Sequence, residues 1–358
     1  MAEDDFENQV EDYLQKFPYQ NTFAYAMQFT GGDPAKLNTW GQAARDLLKA
    51  GEDTIVRSNN DTLYKTAFIY LGDGPVVLRS DSPSHERFSS FQLQDDRNAN
   101  YRNIIAPAGG YTLYHGERPD TITGEAVEVP SLLSAVVTRI EVKDKNDAAD
   151  IAGAQAVFDG ITIEGPTISE MPSVDLLSVF DERVAQEAHR RMDQCTGVVP
   201  FSKMIVGPGQ EPGTDVPYLY HSAGTKEGWG GPATSHSAYE AMFTDTSGAT
   251  LEGSKGDYLL VTEAPQVDGF WSLTVYDSTT GRLHPNAADR YHINNTTAVS
   301  NDDGTYTFHF KMKCEANDRN CLEVPAGPFD VIARYYLPKP AIMSGEWTIP
   351  RPTLTTSN

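Results

Sequence analysis

Three stretches of this sequence concentrate side chains able to bind polar groups and move protons. The first is Arg57-Ser58-Asn59-Asn60-Asp61-Thr62-Leu63-Tyr64. Arg57 can hold a carboxylate through two parallel hydrogen bonds, Asp61 can act as a base and Tyr64 can donate a proton. The same residue types also fix turns, because Asn and Asp bond to nearby backbone. The second stretch is Gln94-Asp95-Asp96-Arg97-Asn98. Adjacent carboxylates can serve as an acid and a base, or hold a hard cation. In an extended segment, however, neighbouring side chains point to opposite sides, so one carboxylate, taken as Asp95, is expected to face a site shared with Asp61. The third is Phe270–Tyr276, a strand with a mixed polar and aromatic face. Trp271 there can stack on a sugar or flat ligand, or pack in a core. Arg290-Tyr291 and Arg334-Tyr335-Tyr336 add cationic and phenolic groups, suited to anion recognition or to anchoring a sheet.

Bulk composition limits the chemistry. The formal net charge of −22 over 358 residues repels phosphate backbones and anionic bilayers, which argues against nucleic-acid binding. No apolar run approaches the roughly 18 residues of a membrane span. The eight histidines are scattered without HExxH, and no metal site is expected. There is no G-x-S-x-G elbow, Walker loop or dinucleotide glycine pattern, so no cofactor is expected. Cys314 and Cys321 bracket a polar stretch and read as a disulfide-closed loop in an oxidising compartment; the alternative is two separate thiols. Cys195 then stands alone as a buried thiol. The acidic Met1–Asp5 start carries no export signal as written.

The elements that must position these residues are mainly β with helical additions. Phe6, Val10, Tyr13, Leu14 and Phe17 fall on one helical face, which Pro18 is expected to end. Asp33-Pro34 opens a second helical pattern that runs to Gly51. Strands are expected at 64–71, 76–78, 88–93, 111–115 and 135–142, then at 258–262, 270–276, 305–312 and 329–336. Asp147–Phe158 reads as a helix, and Ser173–Gln194 as the longest one, capped by Ser173. Residues 197–236 read as loop. This predicts an N-terminal β domain at 1–145, a helical and loop-rich connection at 146–236 and a C-terminal β-sandwich at 237–358.

Two blocks carry a family resemblance. Val56–Tyr64 with Gly74-Pro75-Val76-Val77-Leu78 resembles the signature of domain-of-unknown-function family 1254. Tyr258-Leu259-Leu260, Gly269–Asp277, Asn286, Arg290-Tyr291, Asp302-Asp303-Gly304, Gly327-Pro328-Phe329 and Arg334–Pro338 resemble its usual C-terminal companion, family 1214. The resemblance implies two tandem β-sandwich or jelly-roll-like domains and, for many members, export. It implies no agreed reaction. Cys321 stands where the family commonly has a tryptophan, so ligand preference is open to change.

The resulting expectation is a secreted or periplasmic, cofactor-free enzyme of hydrolase or lyase type, acting on a small polar or anionic molecule. Its site is expected between the two β domains. Asp61 and Tyr64 would be catalytic, and Arg57, Asn59, Asp95, Trp271, Arg290, Tyr291, Arg334 and Tyr336 would bind substrate. The alternative is a non-catalytic exported protein that binds a small ligand or glycan. A homo-oligomer is compatible with either.

Overall fold

A computed structural model describes residues 3–52, 56–81, 86–196, 198–315 and 317–355. Among them are five α-helices: α1 Glu3–Thr30, α2 Ala148–Asp159, α3 Glu182–Cys195, α4 Tyr218–Gly228 and α5 Pro340–Ser344. Two compact units divide the chain. The first holds Met1–Arg45, Tyr64–Ile140 and Gln155–Ala233, and the second Asp46–Leu63, Glu141–Ala154 and Thr234–Asn358.

In the first unit, Pro18 does not end the opening helix, which continues to Thr30. A proline inside a helix removes the N–H that would bond the carbonyl four residues back. That carbonyl belongs to Leu14, and Ser222 of α4 donates its hydroxyl to it at 2.5 Å. The orphaned acceptor is thus satisfied from another element, and the helix runs on. Val10, Tyr13, Leu14 and Phe17 pack with Val184, Ala188 and Met192 of α3 and Ala223 of α4.

The other helical expectations are corrected in part. The pattern after Asp33 yields only a 3-10 turn, Pro34–Lys36, although Asp33 caps it by accepting from the Ala35 N–H. The helix expected from Ser173 starts nine residues later. Gln20 of α1 pins the intervening chain, donating to the Val174 carbonyl and accepting from the Leu176 N–H, and Asp181 supplies the cap. Helix α4 lies where a loop was expected, and α2 lies where a helix was expected.

The first unit's strands are β1 Gln42–Ala44, β2 Thr62–Tyr70, β3 Val76–Ser80, β4 Ser89–Gln94, β5 Asn100–Ile105, β6 Gly109–Tyr114, β7 Glu125–Glu128, β8 Leu133–Glu141 and β9 Ile161–Glu164. They form two sheets, ordered β1-β2-β8-β4-β5 and β7-β6-β3-β9. Phe91 of β4 meets Tyr111 of β6 edge to face, with ring centroids 5.9 Å apart.

The second unit's strands are β10 Ser237–Met242, β11 Asp257–Thr262, β12 Trp271–Asp277, β13 Arg282–Leu283, β14 His292–Asn294, β15 Tyr306–Lys311, β16 Cys321–Glu323, β17 Phe329–Tyr336 and β18 Thr353–Thr355. One sheet runs β10-β17-β12-β13, with β14 also on β12, and the other runs β16-β15-β11-β18. Both contribute to one core: Leu273, Val275, Val331, Ala333 and Tyr335 from the first sheet, and Tyr258, Leu260, Phe308, Phe310 and Leu322 from the second. That is a β-sandwich. The protein is therefore mainly β with helical additions, as its strand pattern predicts. Cys314 and Cys321 form a disulfide. Cys195 is a buried free thiol, and burial raises its pKa. Among the described residues no helix is long and apolar enough to cross a membrane.

Candidate functional site

Side chains alternate across a strand, so each sheet face has its own composition. In the second unit, Trp271, Leu273 and Val275 of β12 face the sandwich core, while Ser272, Thr274 and Tyr276 face the other way. The indole of Trp271 packs edge-on against Tyr306 and Phe308. It belongs to the apolar face, not the polar one expected of it. The polar face is nonetheless buried: Ser272, Thr274, Tyr276 and Arg334 are each at most 3% exposed.

What meets that face is the segment Arg57–Asp61. Arg57 makes two hydrogen bonds to Asp330, of 2.9 and 3.0 Å, and Ser278 adds a third at 2.7 Å. Arg334 donates to the Arg57 carbonyl, the Tyr276 hydroxyl and the Thr274 hydroxyl. Tyr276 donates to the Ser58 carbonyl, and Asn59 donates to the Tyr336 hydroxyl, both at 2.5 Å. Arg57 has φ 50°, a left-handed conformation unusual outside glycine. It is held by its N–H bond to the Gly281 carbonyl, by Asp330 and by Arg334. Such strain persists only where surrounding contacts over-determine it.

Asp61 is fully buried in this assembly. One carboxylate oxygen accepts from Ser272 at 2.7 Å. The other has no hydrogen-bond partner among the described residues and lies 3.9 Å from His292 Nε2. Burial lowers the His292 pKa, with the Asp61 charge opposing. The structure thus brings Arg57, Asn59, Asp61, Arg334 and Tyr336 together. Arg290 is exposed and outside the network. Tyr291 packs with Leu283 and Ile332, its hydroxyl bonded by the Ala50 N–H and to Asp289. Tyr64 and Asp95 belong to the first unit. Tyr64 lies under the Arg139 guanidinium, 5.4 Å from its ring centroid.

The first unit contains a cavity of about 700 Å³. Its acidic wall is the tight turn between β4 and β5. The Asp95 N–H bonds the Ala99 carbonyl and the Asn98 N–H bonds the Asp95 carbonyl, while Asn98 adopts φ 61°. The stretch is a turn rather than an extended segment. Consecutive side chains need not oppose one another there, and Asp95, Asp96 and Arg97 all line the cavity.

The turn is braced from outside. His221 of α4 contacts the Arg97 carbonyl at 2.6 Å. Asn98 donates to Thr225 of α4 and accepts from the Gly230 N–H. Gln92 and Asn100 clamp the Gly230 and Gly231 carbonyls. Three rings complete the cavity: Tyr19 and Phe23 from α1, and Tyr70 from the end of β2. Asn38 fixes Tyr70 by bonding both its backbone N–H and its carbonyl. A Cβ at Gly72 would sit 2.6 Å from the Tyr70 ring, so that ring position requires glycine there.

The two carboxylates are used differently. Asp95 is buried and accepts from the Arg97 and Ala99 N–H groups through one oxygen and from the Arg97 guanidinium through the other. Asp96 has no cation bonded to it among the described residues; Ser131 accepts its N–H. Burial first, and then the neighbouring Asp95 charge, push the Asp96 pKa up to about 6, against the pull of Arg97 and Ser131. Burial also raises that of Tyr19, which keeps its phenol proton in place. Among the described residues, no group of three or more His, Cys, Asp or Glu side chains is placed to hold a metal ion. Sequence reading selected Asp95 over Asp96 and passed over Tyr19, Phe23 and Tyr70. An Asp-x-x-Asn turn signal at 95–98 was the available clue.

Comparison with known proteins defines the class first. Residues 38–165 match the model of a protein of unknown function, DUF1254, and residues 236–340 that of a second, DUF1214. The chain belongs to the two-domain family that joins these in this order. Among solved structures it is similar to the VPA0106 protein from Vibrio parahaemolyticus, with a TM-score of 0.80 at 19% identity over 98% of this chain and 100% of that one. It is also similar to an uncharacterized protein from Burkholderia cenocepacia, with a TM-score of 0.50 at 11% identity over 98% of this chain and 94% of that one. These likenesses concern the fold. No curated protein matches the chain.

Proposed function

We propose that this protein is a cofactor-free enzyme of hydrolase or lyase type, exported, and acting on a small polar molecule in the cavity of the first unit. One observation carries the reading: adjacent carboxylates open on one cavity, Asp95 saturated with partners and Asp96 with a pKa near 6. A proton-transfer group works best when its pKa lies near the working pH. Unlike environments for two neighbouring acids are the usual mark of divided roles. In this assignment Asp96 accepts a proton from water or substrate, and Tyr19 holds a proton to donate to a leaving group. Arg97, tied to Asp95, positions the turn. The volume suits a small organic molecule. The Cys314–Cys321 bond supports an oxidising compartment.

The reading moves the chemistry from Asp61 and Tyr64 to Asp96 and Tyr19. Asp61 is sealed, and Tyr64 is committed to a cation–π contact. The test is a panel of chromogenic esters, amides, glycosides and elimination substrates, with wild-type protein beside Asp96→Asn. The expected loss in the variant is about 10²–10⁴-fold in kcat, with a wild-type rate limb near pH 6. Turnover that is absent throughout, or unchanged in Asp96→Asn, refutes the enzyme reading. The non-catalytic alternative predicts binding in this cavity without turnover.

A further inference from the structure

We infer that the molecule taken by this cavity carries a positive charge, as an ammonium group on an apolar or aromatic body. The inference rests on the same site as the proposed function and names its ligand class, which the sequence left as polar or anionic. Arg97 is the one guanidinium among the residues lining the cavity. Each of its nitrogens already meets a carboxylate: two on Asp95 at 2.9 and 2.8 Å, and the third on Glu211 at 3.2 Å. Its single positive charge is therefore already matched by two acidic groups, which leaves little attraction for an incoming anion.

Asp96, by contrast, has no cation bonded to it among the described residues. With Asp95 and Glu211 also acidic and Arg97 the one firm cation among the described residues there, the local balance is negative and becomes more so when Asp96 is ionised. The other polar groups that share the cavity with Asp96 are Tyr19 from α1, Ser131, and His115 after β6. His115 meets the Val129 carbonyl through Nδ1 at 2.8 Å. The lining also carries three aromatic rings, Tyr19, Phe23 and Tyr70. Ring faces attract cations through their quadrupole, most strongly where water is excluded. A partly buried carboxylate sharing a cavity with aromatic rings is the chemistry that recognises an organic ammonium ion. The protein's net charge of −22 attracts such a ligand from a distance.

The experiment is calorimetric titration of the full chain with three probes that share a ring and differ in charge: benzyltrimethylammonium, benzyl alcohol and benzoate. At pH 7.5 the ammonium probe is expected to bind at least about ten-fold more tightly than the alcohol, with no benzoate binding. Lowering the pH from 7.5 to 5 protonates Asp96 and is expected to weaken the ammonium probe about ten-fold. Asp96→Asn should remove both the preference and the pH dependence. The wild-type pH titration decides the matter even if that variant folds poorly. The inference is overturned by equal binding of ammonium and alcohol, by tighter binding of benzoate, by binding of none of the three, or by a preference that survives at pH 5. Turnover that needs Asp96 without any cation preference would remove this inference and leave the enzyme reading standing. A cation preference without turnover would do the reverse.

Discussion

In the second unit, Arg57, Asp330 and Arg334 spend their hydrogen-bonding capacity on one another, on neighbouring hydroxyls and on the backbone. In the first unit, Asp95 and Arg97 do the same, but Asp96, one residue along, is left facing a cavity. The residue types are alike; the degree of closure differs. A closed polar network costs desolvation and recovers it through geometry, so it specifies structure. An open one keeps a group poorly solvated and poorly paired, and its unrelieved free energy is available to a ligand. The contrast separates a closed polar network from the open cavity proposed as the site.

The largest expected effect tests the closed region. Arg57→Ala leaves Asp330, which is fully buried, with Ser278 as its remaining side-chain partner. Urea unfolding should show a loss of about 3 kcal/mol or more. A loss below about 1 kcal/mol would mean that solvent already serves Asp330, and the contrast would collapse.

The next test concerns the open region and has the opposite sign. Asp96 has a folded pKa of about 6 against an ordinary carboxylate value of 3.8. For a carboxylate with a raised folded pKa, the folded state binds more protons between those values, so stability falls as pH rises through that window. Asp96→Asn is therefore expected to stabilise the protein at pH 7.5, by about 1–2 kcal/mol after allowance for solvent screening. The gain should vanish near pH 4. Thermal unfolding at the two pH values measures it, and a destabilised variant at pH 7.5 would make Asp96 a structural residue. The smallest effect expected is that of Ser222→Ala, which leaves the Leu14 carbonyl without its donor and should cost about 1 kcal/mol.

Much of the β architecture was legible because alternation and turn residues are local signals. The strands expected at 329–336, 270–276 and 258–262 lie within a residue of β17, β12 and β11. What was not legible depended on distant partners. Pro18 reads as a stop unless Ser222 is known to lie beside Leu14. Ser173 reads as a cap unless Gln20 is known to hold residues 174–176. Trp271 was assigned to the wrong face of its own strand, although period-two alternation with Leu273 already placed it with the core.

The two polar segments are hard to read from sequence for a related reason. Arg57–Asp61 could be recognised as dense in polar groups, but density does not reveal that Arg334 and Asp330 complete it. Asp95-Asp96 was judged as extended chain, whereas Asn98 at φ 61° turns it. Helix α4, which braces that turn through His221 and Thr225, follows a Gly- and Pro-rich tract that masks it.

The repair of α1 by Ser222 has a consequence for how the chain is made. The donor lies 208 residues downstream of the carbonyl it satisfies. During synthesis the opening helix therefore passes its proline long before the compensating hydroxyl exists. Its two halves are expected to remain loosely coupled until Tyr218–Gly228 has emerged and docked. The first residues translated in this unit would be among the last to reach their final order.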